Sequence, residues 1–188
     1  MPKTLIFTKH GPEADRILEA FAQRTGLPGS DGDDRRIFQL EGEAYTVHEE
    51  INLGIAVSLG EEGLIVPVIQ DAQDLSAEGL AKRIKDIARR ARSKELVPDE
   101  VRGGTFTITN PGQYGSIMAT PVINQPQVAI LDLEAVVKRP VVVTDADGDD
   151  AIAVRPMCIL GLSWDHRALD GALAAQFLGA LRDRLQRL

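Results

Sequence analysis

The sequence predicts an α+β fold in which helices pack on one face of a largely antiparallel or mixed β-sheet. Three observations lead there. Short strand-like runs outnumber segments of helical periodicity. The helical segments do not alternate regularly with the strands, as a doubly wound parallel sheet would require. No internal repeat or low-complexity linker divides the 188 residues, a length that suits one domain.

Residues 4–8 (TLIFT) read as a short strand. From Glu13 to Thr25 the apolar positions Ile17, Leu18, Phe21 and Ala22 fall at helical spacing, and Gly26 is placed to end that helix. PGSDGDD at 28–34 is a turn-rich acidic loop. Arg36–Leu40 and Glu43–His48 read as strands around a turn at Gly42. Asn52–Leu59 and Leu64–Gln70 read as two strands of a buried hairpin. The clearest helix follows: Leu80, Ala81, Ile84, Ile87, Ala88 and Ala91 form one stripe. Asp74 or Ser76 is placed to cap its start, and Arg89, Arg90, Arg92 and Lys94 suit the negative end of its dipole. That basic end reads as a solvated face rather than a phosphate site. Thr105–Thr109, Gln127–Leu133 and Val136–Thr144 read as strands, and DADGDD at 145–150 as a hairpin tip. That tip lacks the longer ligand pattern and terminal glutamate of a calcium loop. Ile152–Trp164 reads as one long strand interrupted by Pro156, which marks a bulge or an edge position. A helix from Gly171 to Leu185 closes the chain, with Leu173, Ala174, Phe177, Leu178, Leu181 and Leu185 as its buried stripe.

Composition removes several classes. A formal charge of −7 argues against general binding to nucleic acid or to an anionic membrane. No run approaches the ~18 apolar residues of a membrane span, and the start is too short in apolar residues for a signal peptide. Cys158 is the single cysteine, so no intrachain disulfide forms and a reducing, cytoplasmic setting is expected. Three histidines and one cysteine give no metal-ligand cluster, so no metal is expected.

The segment richest in chemistry is Ser163-Trp164-Asp165-His166-Arg167-Ala168-Leu169-Asp170-Gly171. An apolar strand runs into charged residues, then a turn, then a helix, which places an imidazole at a strand terminus. Histidine titrates near neutral pH and can take a proton from a thiol or hydroxyl. A single histidine is also compatible with a purely structural part.

Asp165-His166-Arg167-Ala168-Leu169-Asp170-Gly171 resembles the DHRxxDG signature of the catalytic domain of the dihydrolipoamide acyltransferases, the core components of 2-oxoacid dehydrogenase complexes. The wider His-x-x-x-Asp-Gly pattern is shared with chloramphenicol acetyltransferase. Three other stretches are similar to the same family and lie in its order: Asn52–Val57 with Gly63–Ile69, Gly103–Asn110 (GGTFTITN), and Thr120–Leu131 (TPVINQPQVAIL). Together they cover roughly residues 45–188.

The resemblance implies a chloramphenicol acetyltransferase-like two-layer sandwich and transfer of an acyl group between dihydrolipoamide and coenzyme A. It implies that His166 is the general base toward the thiol. Thr109, standing where the family has a serine, would be a neighbouring subunit's donor to the oxyanion, and Asp170 a residue holding the histidine turn. It places Asn110 along the coenzyme A channel and has Gly171 allow a tight entry into the last helix. Asp165 and Arg167 are expected as scaffold or interface residues. The implied assembly is a homotrimer serving a lipoyl group on a separate domain and other components of the complex. No lipoyl-lysine motif or Ala/Pro-rich linker is visible, and the chain stops at the end of its last helix, so a trimer rather than a large cage is expected.

Two departures stand against the family. Residues 1–44 form a divergent or shortened N-terminal segment of the same domain, whereas 45–188 match the catalytic core. Asp132 and Glu134 follow the Ala129-Ile130-Leu131 stretch where the family carries a small residue, and they are expected near a pocket for an anionic cofactor. These departures keep open a non-catalytic trimeric scaffold. A stand-alone coenzyme A-dependent acyltransferase for a small acceptor is the third reading.

Overall fold

A computed structural model describes residues 37–41, 44–48 and 50–187. The expected strand at 4–8, helix at 13–25 and loop at 28–34 lie outside the described residues. Eleven strands and two α-helices are formed among those described. They are β1 (Ile37–Glu41), β2 (Ala44–His48), β3 (Leu53–Ile55), β4 (Val57–Ser58), β5 (Leu64–Ile65), β6 (Val68–Ile69), α1 (Ala77–Arg92), β7 (Phe106–Thr109), β8 (Ala129–Leu133), β9 (Val137–Thr144), β10 (Asp150–Met157), β11 (Leu160–Trp164) and α2 (Gly171–Leu185).

The central sheet has five strands in the order β11-β8-β7-β3-β6. It is mixed: β7 runs parallel to β3 and β8, whereas β6 and β11 pair antiparallel at the edges. Alternation along the strands separates two faces. Leu53, Phe106, Ile108, Ala129, Leu131 and Leu133 project to one face and form a single core with Leu80 and Ile87 of α1 and Phe177, Leu181 and Leu185 of α2. Both helices therefore cover the same face, as the sequence predicts. On the opposite face the register aligns Gly54, Thr107, Thr109, Ile130, Asp132, Gly161 and Ser163, which are mostly small or polar. Gly54 has a steric reason: a Cβ there would stand 2.8 Å from Thr107 Oγ1.

Helix α1 begins one turn before its apolar stripe. Ser76, not Asp74, is its N-cap, its Oγ accepting from the Gly79 amide at 3.2 Å. The basic C-terminal end is a paired, solvated face: Arg89 bonds Asp86 and Glu95, and Arg90 bridges Asp86 and Glu100.

Three strands expected as continuous are divided. The Asn52–Leu59 run breaks at Ala56, whose amide makes the last rung to the Ile108 carbonyl of β7; beyond it β4 pairs with β5 in a separate ribbon. The Leu64–Gln70 run breaks at Pro67, which has no amide to donate, while its carbonyl accepts from Ile55 N. The hairpin expectation holds in both halves. The Ile152–Trp164 run is two strands in two sheets: among the described residues β10 pairs with β9 alone and β11 with β8 alone. The break falls at Cys158–Ile159, not at Pro156, which stays inside β10 opposite Lys138. A strand paired on one side tolerates a missing donor, so the edge reading of Pro156 is right and the single-strand reading is not. At the acidic tip Asp145 Oδ1 accepts from the amides of Asp147 and Asp149, which accounts for that aspartate as a turn former.

Candidate active site

The DHR segment is held as a tight turn at the end of β11. The ladder runs one residue past the strand, Asp165 N donating to the Val128 carbonyl at 2.8 Å. The Asp165 carbonyl then accepts from the amides of Ala168 and Leu169, and buried Leu169 anchors the turn in the core. The Asp165 carboxylate accepts from the Arg167 amide at 3.0 Å and from its guanidinium at 2.6 Å. The guanidinium, with help from the amide, draws the Asp165 carboxyl down to about 2. Asp165 and Arg167 thus bond each other, in line with a scaffold role. His166 lies between them, exposed at the tip, its ring beside Trp164 with centroids 6.2 Å apart. Asp170 is the N-cap of α2, its Oδ1 accepting from Leu173 N at 2.8 Å. Four residues thus separate the imidazole from a rigid helix start. Gly171 is not in the left-handed region and a Cβ there would meet nothing within 4 Å, so the turn does not need its flexibility. The caps and carbonyls just named make the turn.

Thr109 ends β7, half-buried, paired in register with Asp132 of β8. Asn110 begins a single helical turn over Pro111–Tyr114, and its Oδ1 accepts from the Gln113 amide at 3.2 Å. Its side chain is therefore exposed and engaged in capping.

His166 and Thr109 do not come together within one chain. Thr109 is level with Asp132 and Gly161, whereas Asp165 is level with Val128. Four ladder steps at ~3.3 Å, from Gly161 to Asp165, put the start of the turn that carries His166 roughly 13 Å further along the sheet, with β8 between their two strands. The two residues mark opposite ends of the sheet.

Asp132 and Glu134 are the residues whose setting sequence reasoning misplaced. Neither lines an open pocket: Asp132 is 0% and Glu134 4% exposed. The carboxyl of Asp132 lies over Gly161, where a Cβ would stand 2.0 Å from Oδ1. None of the four carboxyl oxygens has a hydrogen-bond partner of proper geometry in the described structure. Burial first, and then the Glu134 carboxyl beside it, push Asp132 up to about 6. Cys158 donates its thiol to the Glu134 carbonyl at 3.0 Å, and burial pushes that thiol up to about 11. Sequence reasoning also passed over Gln127, which is buried and accepts from Thr107 Oγ1 at 2.7 Å while donating to the Gly104 carbonyl. A glutamine just after Pro126, at the first position of an expected strand, gave little signal of a core brace.

Comparison with known proteins converges on one group. Residues 36–188 match the family model of the 2-oxoacid dehydrogenases acyltransferase catalytic domain. The dihydrolipoyllysine-residue acetyltransferase component of the pyruvate dehydrogenase complex of Mycobacterium bovis is 52% identical over 141 residues, which is 75% of this chain and 25% of that protein. The succinyltransferase component of the 2-oxoglutarate dehydrogenase complex of Bacillus subtilis is 40% identical over 148 residues, 79% of this chain and 34% of that one. The chain thus spans about a quarter to a third of the length of these curated relatives. Among solved structures, a probable dihydrolipoamide acetyltransferase from Listeria monocytogenes superposes with a TM-score of 0.80 at 37% identity, covering 93% of this chain and 70% of that one. The dihydrolipoamide acetyltransferase of Azotobacter vinelandii gives 0.78 at 35% identity, covering 92% of this chain and 68% of that one. On the family match over most of its length and on these superpositions, the chain belongs to the 2-oxoacid dehydrogenase acyltransferase catalytic-domain family.

Proposed function

We propose that the protein transfers an acyl group between dihydrolipoamide and coenzyme A, at sites formed between copies of the chain. The observation that carries the second half is the placement of Thr109 and of the turn that carries His166 at opposite ends of the sheet, four ladder steps or roughly 13 Å apart along it. A base and an oxyanion donor must stand within a few ångströms of one reacting carbon. One chain cannot supply both to the same carbon; the His166 end of one copy meeting the Thr109 end of another can. A homotrimer is a closed ring in which that contact repeats and places a site at every junction.

The chemistry follows from the residues. A thiol is mostly protonated at neutral pH, and only its thiolate attacks well. His166, exposed at its tip, takes the proton from the incoming thiol. The thiolate attacks the thioester carbonyl of the other carrier, and the carbonyl oxygen gathers the negative charge. The Thr109 hydroxyl of the adjoining copy donates to that oxygen. On collapse the second thiolate leaves and takes the proton back from the imidazolium. Asp170 contributes by fixing the turn through its helix cap. In the Azotobacter vinelandii enzyme a serine, a histidine and an asparagine were investigated for roles in the catalytic mechanism, the last two standing four positions apart, as His166 and Asp170 do here. The names of relatives span acetyl, succinyl and branched-chain acyl groups, which supports acyl transfer in a multienzyme complex, with the lipoyl group borne by a separate domain. The burial of Asp132 and Glu134 removes one reason for the scaffold reading, since neither carboxylate faces an open cofactor site.

The test uses complementation. His166→Ala alone is expected to lower turnover by about 10²–10⁴-fold and Thr109→Ala by about 10²-fold. Co-expressed in one cell, the two inactive chains should form mixed oligomers that recover part of the activity, because some junctions then join an intact His166 to an intact Thr109. Near-normal activity in His166→Ala, or no recovery in verified mixed oligomers, overturns the proposal.

A further inference from the structure

The buried carboxyl pair lies directly behind the strand end that carries Thr109. In the parallel ladder Thr109 and Asp132 are register partners, so their side chains share one face. The loop that follows Thr109 is fastened to the same place. Ala135 N donates to the Ser116 carbonyl at 2.7 Å, and Gly112 presses on the Glu134–Ala135 peptide so closely that a Cβ would stand 2.2 Å from the Glu134 carbonyl carbon. Gly161 leaves room for the Asp132 carboxyl, and a larger residue there would displace it.

Such an arrangement is electrostatically incomplete. Two carboxyls side by side, each at least nine-tenths buried, have no ion pair with any cation among the described residues. A third titratable group against them among the described residues is the Cys158 thiol, itself held in its neutral form by burial. With one proton present, one acid donates to the other and the pair is satisfied. With none, two like charges face each other in a dry site.

We propose that Asp132 and Glu134 form a proton-sharing pair that positions Thr109: with the proton held, the end of β7 and the loop through Ser116 are drawn together, and its loss loosens both. Asp132 is thus a positioning residue, acting through the strand it pairs with. The link to turnover rests on the acyl-transfer reading; the proton-sharing itself does not.

The sign is fixed by the direction of the shift. Asp132 in the folded chain holds its proton more tightly than in the unfolded chain, where it titrates near 3.9. Stability is therefore lost relative to a neutral variant as pH rises from about 4 to about 6.5, and the loss is constant above that. Asp132→Asn imitates the protonated acid, since its amide can donate to Glu134. The melting temperatures of wild type and Asp132→Asn are compared across that range, with Glu134→Gln as the second variant. The variant should gain on wild type by about 5 °C between the two limits. In the same range wild type should show the infrared band of a protonated, buried carboxyl that fades as pH rises and is missing in Asp132→Asn. Parallel melting profiles for wild type and both variants, or no such band, overturn the pair. For the positioning role, the kcat ratio of Asp132→Asn to wild type should stay near one at low pH and rise several-fold above neutrality, with KM little changed. A flat ratio overturns that role. If both proteins lack acyl transfer altogether, the proposed function has failed while the melting and infrared arms still decide the pair.

Discussion

Gly161 shows how far a single absent methyl group can reach. The Asp132 carboxyl occupies the space over it, and a Cβ would stand 2.0 Å from the nearer oxygen. Gly161→Ala is expected to destabilise the fold by about 1–3 kcal/mol through overpacking, as read by denaturant titration. Most of that loss should return when Asp132→Gly is added, because the clash needs both side chains; an additive double variant would contradict the packing described. Cys158 permits a simpler check. Its thiol is half-buried, bonded to the Glu134 carbonyl and pushed up to about 11. It should react slowly with a disulfide reagent near pH 8 in the folded protein and fast in denaturant. The residues of the DHR turn were legible in the sequence because they are contiguous and act through local bonds. The Asp132–Gly161 contact was not, because it exists only through the antiparallel register of β8 with β11.

Among the elements, the helices were read well and the strand boundaries poorly, for a physical reason. The stripe of α1 at Leu80, Ile84, Ile87 and Ala91 repeats at helical spacing whatever lies around it, and α2 repeats the pattern at Ala174, Phe177, Leu181 and Leu185. A strand is ended by its partner. The β3 ladder ends at Ala56, whose amide makes the last rung to Ile108 before the chain pairs as β4 with β5, and at Cys158–Ile159 the chain passes from its pairing with β9 to bonds with Glu134 beside β8. Neither departure is written in the local pattern of Asn52–Leu59 or Ile152–Trp164. Single-residue caps are the corresponding test at this scale. Ser76→Ala removes the acceptor for the Gly79 amide and should cost about 1 kcal/mol of stability, visible as a shift in the denaturation midpoint without a change in slope. Asp74→Ala, the alternative cap suggested by the sequence, should cost far less.

For the whole molecule, the decisive relation is the distance between the ends of one sheet. The sequence made both candidate residues visible, Thr109 through the GGTFTITN stretch and His166 through the DHR turn, but it carries no measure of how far apart they stand. The ladder supplies it. The ribbon of β9 and β10 adds to the same picture: among the described residues it pairs only with itself, and Val142, Ile152 and Val154 are 65%, 81% and 62% exposed. A two-stranded ribbon is marginal when left in water on both faces. Native mass spectrometry is expected to give three times the chain mass. A monomer retaining acyl transfer would contradict the shared site.

Because each copy would offer an imidazole at one end and a hydroxyl at the other, the unit of catalysis would be the seam rather than the chain. In a closed ring a subunit carrying only His166→Ala would silence one seam. A subunit carrying both His166→Ala and Thr109→Ala would silence the seam on either side of it, so a single faulty member in three would leave one seam working. Residual activity of mixed rings would then fall faster than the fraction of faulty chains, a dominance that arises purely from geometry.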